Sequence, residues 1–308
     1  MDKKMKSLIL AVLLAPAAFG GERTANVRFM AFNIWGDYFH NPACERMDGV
    51  LETICARQPD VIALQEVTTN WWNCGLFEKL GDRYEVVRGN VKEALRLAGS
   101  EVVKPEAQWG NYEPLLYRRD RFRALETGLE FFHLYLESQK SVTWAVLEDK
   151  KSGIRFVAFS THLWYKGTAE SEQIREMSAR RIAVLMESVR AKWGNISVVG
   201  GGDFNSREKS LALHTLGLFG YKNAGLTADE TSPLATIHDD PARGEDGKWH
   251  GQDAVRSTNA KERIDHVVYL GKMIRALRHE VVTDRSALDV SDHSPIQVDF
   301  VLIKNKTR

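Results

Sequence analysis

The stretch VVGGGDFNSR, residues 198–207, runs an apolar segment into three glycines and then presents Asp203 and Asn205 two positions apart. Residues i and i+2 of an extended strand share a face, so the carboxylate and the carboxamide aim the same way. One can hold a water molecule and the other a phosphoryl oxygen. Five strand-like segments carry polar, chemically able residues at their ends: Asn33, Glu66, His162, Asp203 with Asn205, and Asp265. A sixth pair, Asp292 and His293, stands where the last strand begins. Asn33, Glu66 and Asp292 form an oxygen-only set that suits a hard cation such as Mg²⁺, which keeps several waters and needs only one or two carboxylates. No cluster of thiolates favours zinc. His162 and His293 are the candidate proton handlers, and Asp265 can fix the tautomer of one imidazole. Each residue alone has a plainer reading: a strand-end carboxylate is as often a surface residue, and a single histidine more often packs than catalyses. Their recurrence at one kind of position favours the chemical reading.

The elements that must position them follow from hydrophobic periodicity. NVRFMAFNIW alternates as a strand up to Asn33. Met47, Val50, Leu51, Ile54 and Cys55 recur at helical spacing, and Pro59 marks the stop. DVIALQEV, YEVVRG, EPLLYRRDRF and VTWAVLED read as strands, with a polar, ambiguous insertion at 91–110. IRFVAFSTHLW ends at His162, and Thr168 is placed to cap a long helix whose inner face is marked by Ile174, Met177, Ile182, Leu185, Val189 and Trp193. NISVVGGGDFN returns as a strand, its glycines read as a tight turn that lets a substrate approach. RIDHVVYL follows a long polar loop at 236–262, and SDHSPIQVDFVLI closes the chain. Strand ends along one sheet edge are where α/β proteins build sites. No repeat or linker interrupts the pattern, so residues 21–308 are expected to form a single domain.

Composition narrows the function. Forty-two Lys and Arg against 41 Asp and Glu give a net charge of +1, which argues against a polycationic nucleic-acid coat. Residues 1–20 carry Lys3, Lys4 and Lys6 before LILAVLLAPAAF and read as a signal peptide, so the protein is expected to be exported, periplasmic or extracellular. Cys44, Cys55 and Cys74 are an odd set matching no zinc spacing, and buried thiols with at most one bridge are expected.

Taken together, FNIWGD, LQEV, STHLW, GGDFNS, RIDHVVY and SDHSPI, in this order, resemble the endonuclease/exonuclease/phosphatase superfamily, which includes DNase I-like nucleases, sphingomyelinases and inositol-polyphosphate phosphatases. The resemblance spans about residues 26–303. It implies a four-layer α/β sandwich of two packed mixed β-sheets flanked by helices. By position it makes Glu66 the principal metal ligand, with Asn33 and Asp292 beside it, and Mg²⁺ the cofactor, with Mn²⁺ or Ca²⁺ as alternatives. Asp203 would orient the attacking water, Asn205 would hold the phosphate, Asp265 would pair with His293, and His162 would act on the leaving-group side. One departure stands out. Many members carry a Glu six residues before the aromatic of the LLYR strand, supporting the first histidine; here that position is Asn111, with Glu113 close by.

The implied activity is metal-dependent hydrolysis of a phosphate ester by a monomer, with a small or lipid-headgroup substrate favoured and transient contact with a membrane surface allowed for. Nucleic acid is the less favoured substrate, and an inactive phosphate-binding protein is the alternative of another class. Trp35, Trp71, Trp72, Trp109 and Trp164 lie near the site-forming segments, where aromatic side chains can stack on ligands, although core packing accounts for most tryptophans. His238, Arg243, Lys248, His250, Arg256, Lys261 and Arg263 make the 236–262 region basic: a second anion site or a solvated flap.

Overall fold

The computed structural model describes residues 23–38, 40–91, 93–94, 111–132, 140–253 and 263–304. The leader-like residues 1–20, Trp109, Arg256 and Lys261 lie outside the described residues.

Strand β1 (Thr24–Asn33) shows why the fold has layers. Val27, Phe29 and Ala31 face one apolar cluster, while Met30 and Phe32 face another. A strand buried on both faces reads as a nearly continuous apolar run and must lie between two packed layers. In chain order β1 is followed by α1 (Ala43–Arg57), β2 (Val61–Gln65), α2 (Thr69–Asn73), α3 (Leu76–Leu80), β3 (Tyr84–Val87), β4 (Leu115–Arg118), β5 (Phe122–Phe131), β6 (Ser141–Asp149) and β7 (Arg155–His162). Then come α4 (Ala169–Lys192), β8 (Ser197–Asp203), α5 (Leu211–Leu218), β9 (Lys222–Asn223), α6 (Ala224–Thr227), β10 (Glu230–Thr231), β11 (Ala242–Arg243) and β12 (Trp249–His250). The chain closes with β13 (Asp265–Leu270), β14 (Ile274–Val281), α7 (Arg285–Leu288) and β15 (Ile296–Ile303).

The strands form a seven-stranded sheet, β10-β14-β15-β1-β2-β4-β3, a six-stranded sheet, β5-β6-β7-β8-β13-β9, and a small β11–β12 hairpin. Both large sheets are mixed: β1 is parallel to β2 but antiparallel to β15, and β7 is parallel to β8, which is antiparallel to β13. Their inner faces meet in a core that includes Phe29, Ala63, Leu147, Phe156, Val199, Val267 and Phe300. Helix α1 covers the outer face of the first sheet through Val50 and Ile54, and α4 and α5 cover the second through Ile182, Met186 and Leu216. The result is the four-layer α/β sandwich.

Several local expectations change. EPLLYRRDRF is not one strand but β4, a turn at 119–121 and the start of β5. On α4 the buried stripe is Ala179, Ile182, Ala183, Met186 and Val189, and Met177 is exposed. Arg175 takes the inner face of the first turns by donating to the carbonyls of Trp164 and Lys166, and this sets the helix's rotation. Thr168 does cap α4, its hydroxyl accepting from the Ser171 amide at 3.2 Å. The thiols are unbridged; Cys44 and Cys55 are exposed and Cys74 is half-buried, because the core face of α1 belongs to Val50, Thr53 and Ile54. The three glycines are not a turn; they lie inside β8. A Cβ on Gly200 would enter the Phe159 ring at 2.1 Å, and one on Gly202 would meet the Thr161 carbonyl at 1.9 Å. They permit close packing against the neighbouring strand rather than a bend.

Candidate active site

The register brings the strand ends together. Asn33 pairs with Gln65 across β1 and β2, so Glu66 follows at the same edge. In the other sheet His162 and Asp265 both pair with Asp203. Asp265 opens β13 instead of ending it, because β13 runs antiparallel to β8. Glu66 and Asn205 have left-handed backbones, with φ of 61° and 46°, and Trp35 has 57°. A non-glycine residue held there is strained by about 1 kcal/mol or more, and such strain gathers where a side chain must be aimed against the run of its strand.

Hydrogen bonds tie Asn33, Glu66, His162, Asp203 and Asn205 into one network and join His293 to Asp265, while the Asp292 carboxylate stands beside His293 with no hydrogen bond among the described residues. Asn33 Nδ2 donates to Glu66 Oε1 and to Asp203 Oδ2, both at 3.1 Å, and its oxygen accepts from the Trp35 amide. Glu66 Oε2 accepts from the Gly36 amide at 2.7 Å. Asp203 Oδ1 accepts from the Asn205 amide at 2.7 Å, and Oδ2 lies 3.2 Å from His162 Nε2. His293 Nδ1 lies 2.8 Å from Asp265 Oδ2. Its Nε2 is then turned toward Asp203 Oδ2 at 3.8 Å and Asp292 Oδ2 at 4.0 Å. Asn205 Nδ2 sits 3.0 Å from His162 Nε2 and 3.1 Å from the Leu163 carbonyl.

This crowding sets the charges. Burial pushes the Asp203 carboxyl up, but His162, His293 and Lys140 outweigh it and hold the group far below the usual carboxylate range. Burial also opposes a charge on His293; Asp265, Asp292 and Asp203 nevertheless lift it well above the ordinary imidazole value. His162 moves the other way, lowered by burial and by Lys140. Glu66 stays below its usual value because His162, Lys140 and the Gly36 and Asn33 donors overcome its burial.

A divalent cation fits here on one direct observation. Asp292 Oδ1 is buried without a hydrogen-bond partner. Burial, with Glu66, Asp240 and Asp203 nearby, pushes the Asp292 carboxyl up to about 7. An orphaned carboxylate oxygen facing other carboxylates is what a hard cation would satisfy. Glu66, His162 and Asp203 also present ligand-type atoms within 4.8 Å of one another, as do Asp203, Asp265 and His293. Asp292 and Glu66 would hold the ion, and Asn33, as placed, braces Glu66.

Three residues at the site escaped the sequence reading. Lys140 places Nζ 2.9 and 2.8 Å from the two ring nitrogens of His162. It directly precedes β6, and Val142 pairs with Thr161, so the antiparallel register sets Ser141 opposite His162 and leaves Lys140 one position beyond, within reach of the ring. Ser291 Oγ donates to the Asn33 carbonyl at 2.7 Å and accepts from the His293 amide at 3.1 Å, joining the two sheets. Thr236 Oγ1 accepts from the Asp265 amide at 3.2 Å. Asn111 is committed elsewhere: its Nδ2 donates to Thr143 Oγ1 and its Oδ1 accepts from the Glu113 amide. Glu113 accepts from Ser141 Oγ.

The tryptophans divide. Trp71 and Trp164 are buried, Trp72 stacks on Phe77 at 4.1 Å between centroids, and half-buried Trp35 meets Trp249 edge-on at 6.2 Å. That contact docks the β11–β12 hairpin beside the site. Two of its basic side chains are paired, Arg243 with Glu45 at 3.4 Å and His250 with Asp246 at 2.9 Å, as is nearby Arg263 with Glu208 at 3.0 Å, and Lys248 is exposed at the turn. Among the described residues this favours a flap over a second anion site.

Solved structures share the architecture. An endonuclease/exonuclease/phosphatase from Bacteroides vulgatus superposes with a TM-score of 0.67 at 23% identity, covering 91% of this chain and 100% of that one. A mannosyl-6-phosphatase from Bacteroides thetaiotaomicron gives 0.66 at 15% identity over 89% and 99%. The human Nocturnin catalytic domain, solved with bound sulfate, gives 0.64 at 19% over 92% and 98%. No curated protein matches the chain. At the level of sequence, the model of one family, described as endonuclease/exonuclease/phosphatase, matches residues 30–293. That span takes in every one of the eight side chains gathered at the sheet edge, and the chain belongs to the endonuclease/exonuclease/phosphatase family.

Proposed function

We propose that this protein is a divalent-metal-dependent phosphoesterase acting on a phosphate ester of a small or lipid-derived headgroup. The observation that carries it is the convergence of Glu66, Asp203, His162, Asp265, Asp292 and His293 on one edge, with Asp292 Oδ1 left for a cation. A bound Mg²⁺ supplies Lewis-acid stabilisation of charge on the phosphoryl group. Asp203, held ionised, is a poor proton acceptor and serves to orient a water through its oxygens. His293, charged and steered by Asp265, faces the phosphoryl group as a cation. His162 stands on the leaving-group side, and Asn205 offers its amide to a phosphate oxygen.

The preference for a small substrate rests on charge. Duplex binding leans on many Lys and Arg contacts to phosphates. Here 42 basic residues face 41 acidic ones, and the flap's Arg243 and His250 are already paired. The chain is proposed to act as an exported monomer, with any membrane contact transient. The test is a panel of plasmid DNA, sphingomyelin and inositol phosphates, with and without Mg²⁺ or Mn²⁺. Small or lipid substrates should lead, and chelation should abolish turnover. Dominant plasmid nicking would make the protein a nuclease, and no turnover of any ester with phosphate still bound would make it a binding protein.

A further inference from the structure

Counting donors against acceptors around His162 leaves donors over. The Leu163 carbonyl can only accept, so it fixes the Asn205 amide with Nδ2 toward it and toward the ring. Asp203 Oδ2, also only an acceptor once ionised, takes the Nε2 proton. His162 Nδ1 is then the one ring acceptor, and Lys140 Nζ occupies it at 2.9 Å. The second Nδ2 hydrogen of Asn205 faces a protonated nitrogen. Two of the three ammonium hydrogens of Lys140 meet no protein acceptor among the described residues, whose bonds to Nζ are those of the His162 ring. The carboxylates around it are engaged elsewhere: Glu66 accepts from Gly36 and Asn33, Glu113 from Ser141, and Asp203 from Asn33, the Asn205 amide and His162. Glu66, Glu113 and Asp203 favour its charge against burial, yet none of the three is hydrogen-bonded to it, so its remaining donors are left for another acceptor.

We infer that Lys140, with Asn205, binds the non-bridging oxygens of the substrate phosphate, and that this second cation makes the site select a terminal phosphomonoester over a phosphodiester. This rests on the phosphoesterase reading above. A monoester is a dianion with three peripheral oxygens, one more charge and one more acceptor than a diester presents. A metal ion alone serves either. A point charge with free donors, added beside the metal ligand Glu66, favours the dianion.

The test compares wild type with Lys140→Gln and Lys140→Arg in the presence of Mg²⁺. Calorimetric titration with inorganic phosphate should show affinity reduced about tenfold to a hundredfold in Lys140→Gln, the scale of one charge-assisted hydrogen bond, and largely restored in Lys140→Arg. Loss of the positive charge beside Glu66 should not lower Mg²⁺ affinity in Lys140→Gln. On p-nitrophenyl phosphate kcat/KM should fall by a similar factor in Lys140→Gln, while bis(p-nitrophenyl) phosphate turnover changes less than about threefold. Unaltered phosphate affinity, no phosphate binding by the wild type, or equal losses on the two esters would overturn the inference. Wild-type protein that binds phosphate through Lys140 but cleaves neither ester nor any of the panel above counts against the phosphoesterase reading and leaves the lysine's role standing.

Discussion

Asp203 accepts on both oxygens, from Asn33, the Asn205 amide and His162, and every one of those donors is also a site residue. Removing it therefore leaves several buried donors unpaired as well as deleting a catalytic group. Asp203→Ala and His293→Ala are each expected to lower kcat by about a hundredfold or more, the scale of a positioned polar group in the transition state. A steady-state assay on the best panel substrate decides this; near wild-type rates in both variants would discard the assignment. Glu66→Gln should weaken metal binding about tenfold to a hundredfold with a small change in Tm, read by Mg²⁺ titration. The neutral amide keeps one oxygen to accept from Gly36 but loses the charge. His266 is the comparison. It is buried, with Nε2 donating to the Ser206 carbonyl at 2.7 Å and Nδ1 accepting from Asn223 at 3.0 Å. His266→Ala should spare kcat while costing about 1–3 kcal/mol of stability for the partners it strands.

Elements explain which parts of this could be read from the sequence. Strands β1, β2, β7, β8, β13 and β15 are apolar on both faces or alternate cleanly, and each announced its terminal site residue. Strand β14, IRALRHEV, escaped because its outward positions are charged and a bulge between Ala276 and Arg278 breaks the alternation. Most of β5 escaped for a similar reason, its middle being half-exposed and charged. Lys140 was hidden because no local pattern marks it; only the β6–β7 register does. The glycines of β8 stand out in the sequence, yet they serve close strand packing and not a turn. Their actual role makes a sharp contrast. Gly202→Ala, with φ near 149° and a Cβ placed 1.9 Å from the Thr161 carbonyl, should cost several kcal/mol, beyond the ordinary range for a point substitution. Gly217→Ala, in α5 with open space around its Cβ, should stabilise by about 0.5 kcal/mol. Denaturant midpoints of the two variants check this; similar small shifts in both would mean that β8 has room the packing denies.

At the scale of the whole molecule, two buried histidines away from the metal ligands link stability to acidity. Burial pushes His279 down to about 3, with Arg263 and His266 adding to it, and it pushes His266 down to about 4. Both are neutral in the fold at neutral pH, whereas in the unfolded chain an imidazole protonates near 6.5. The folded values are depressed, so the stability they permit is complete above about pH 6.5. It is lost as pH falls toward 4 and 3, because the unfolded state takes up protons that the fold excludes. At pH 5 each histidine accounts for about 2 kcal/mol, at about 1.4 kcal/mol per pH unit over one and a half units. His293 acts in the opposite sense, since its raised value favours the fold at low pH and the benefit fades as pH rises. His279 is the cleaner probe: it lies on β14, and its Nδ1 is buried with no partner, so an apolar replacement removes titration without stranding a bond there. His279→Leu should therefore flatten the fall in unfolding free energy between pH 7 and pH 5 by about 2 kcal/mol relative to wild type. Urea titrations of both proteins at a series of pH values measure this directly. Parallel curves would mean that His279 protonates in the fold as readily as outside it, and that the acid sensitivity belongs to the carboxylates.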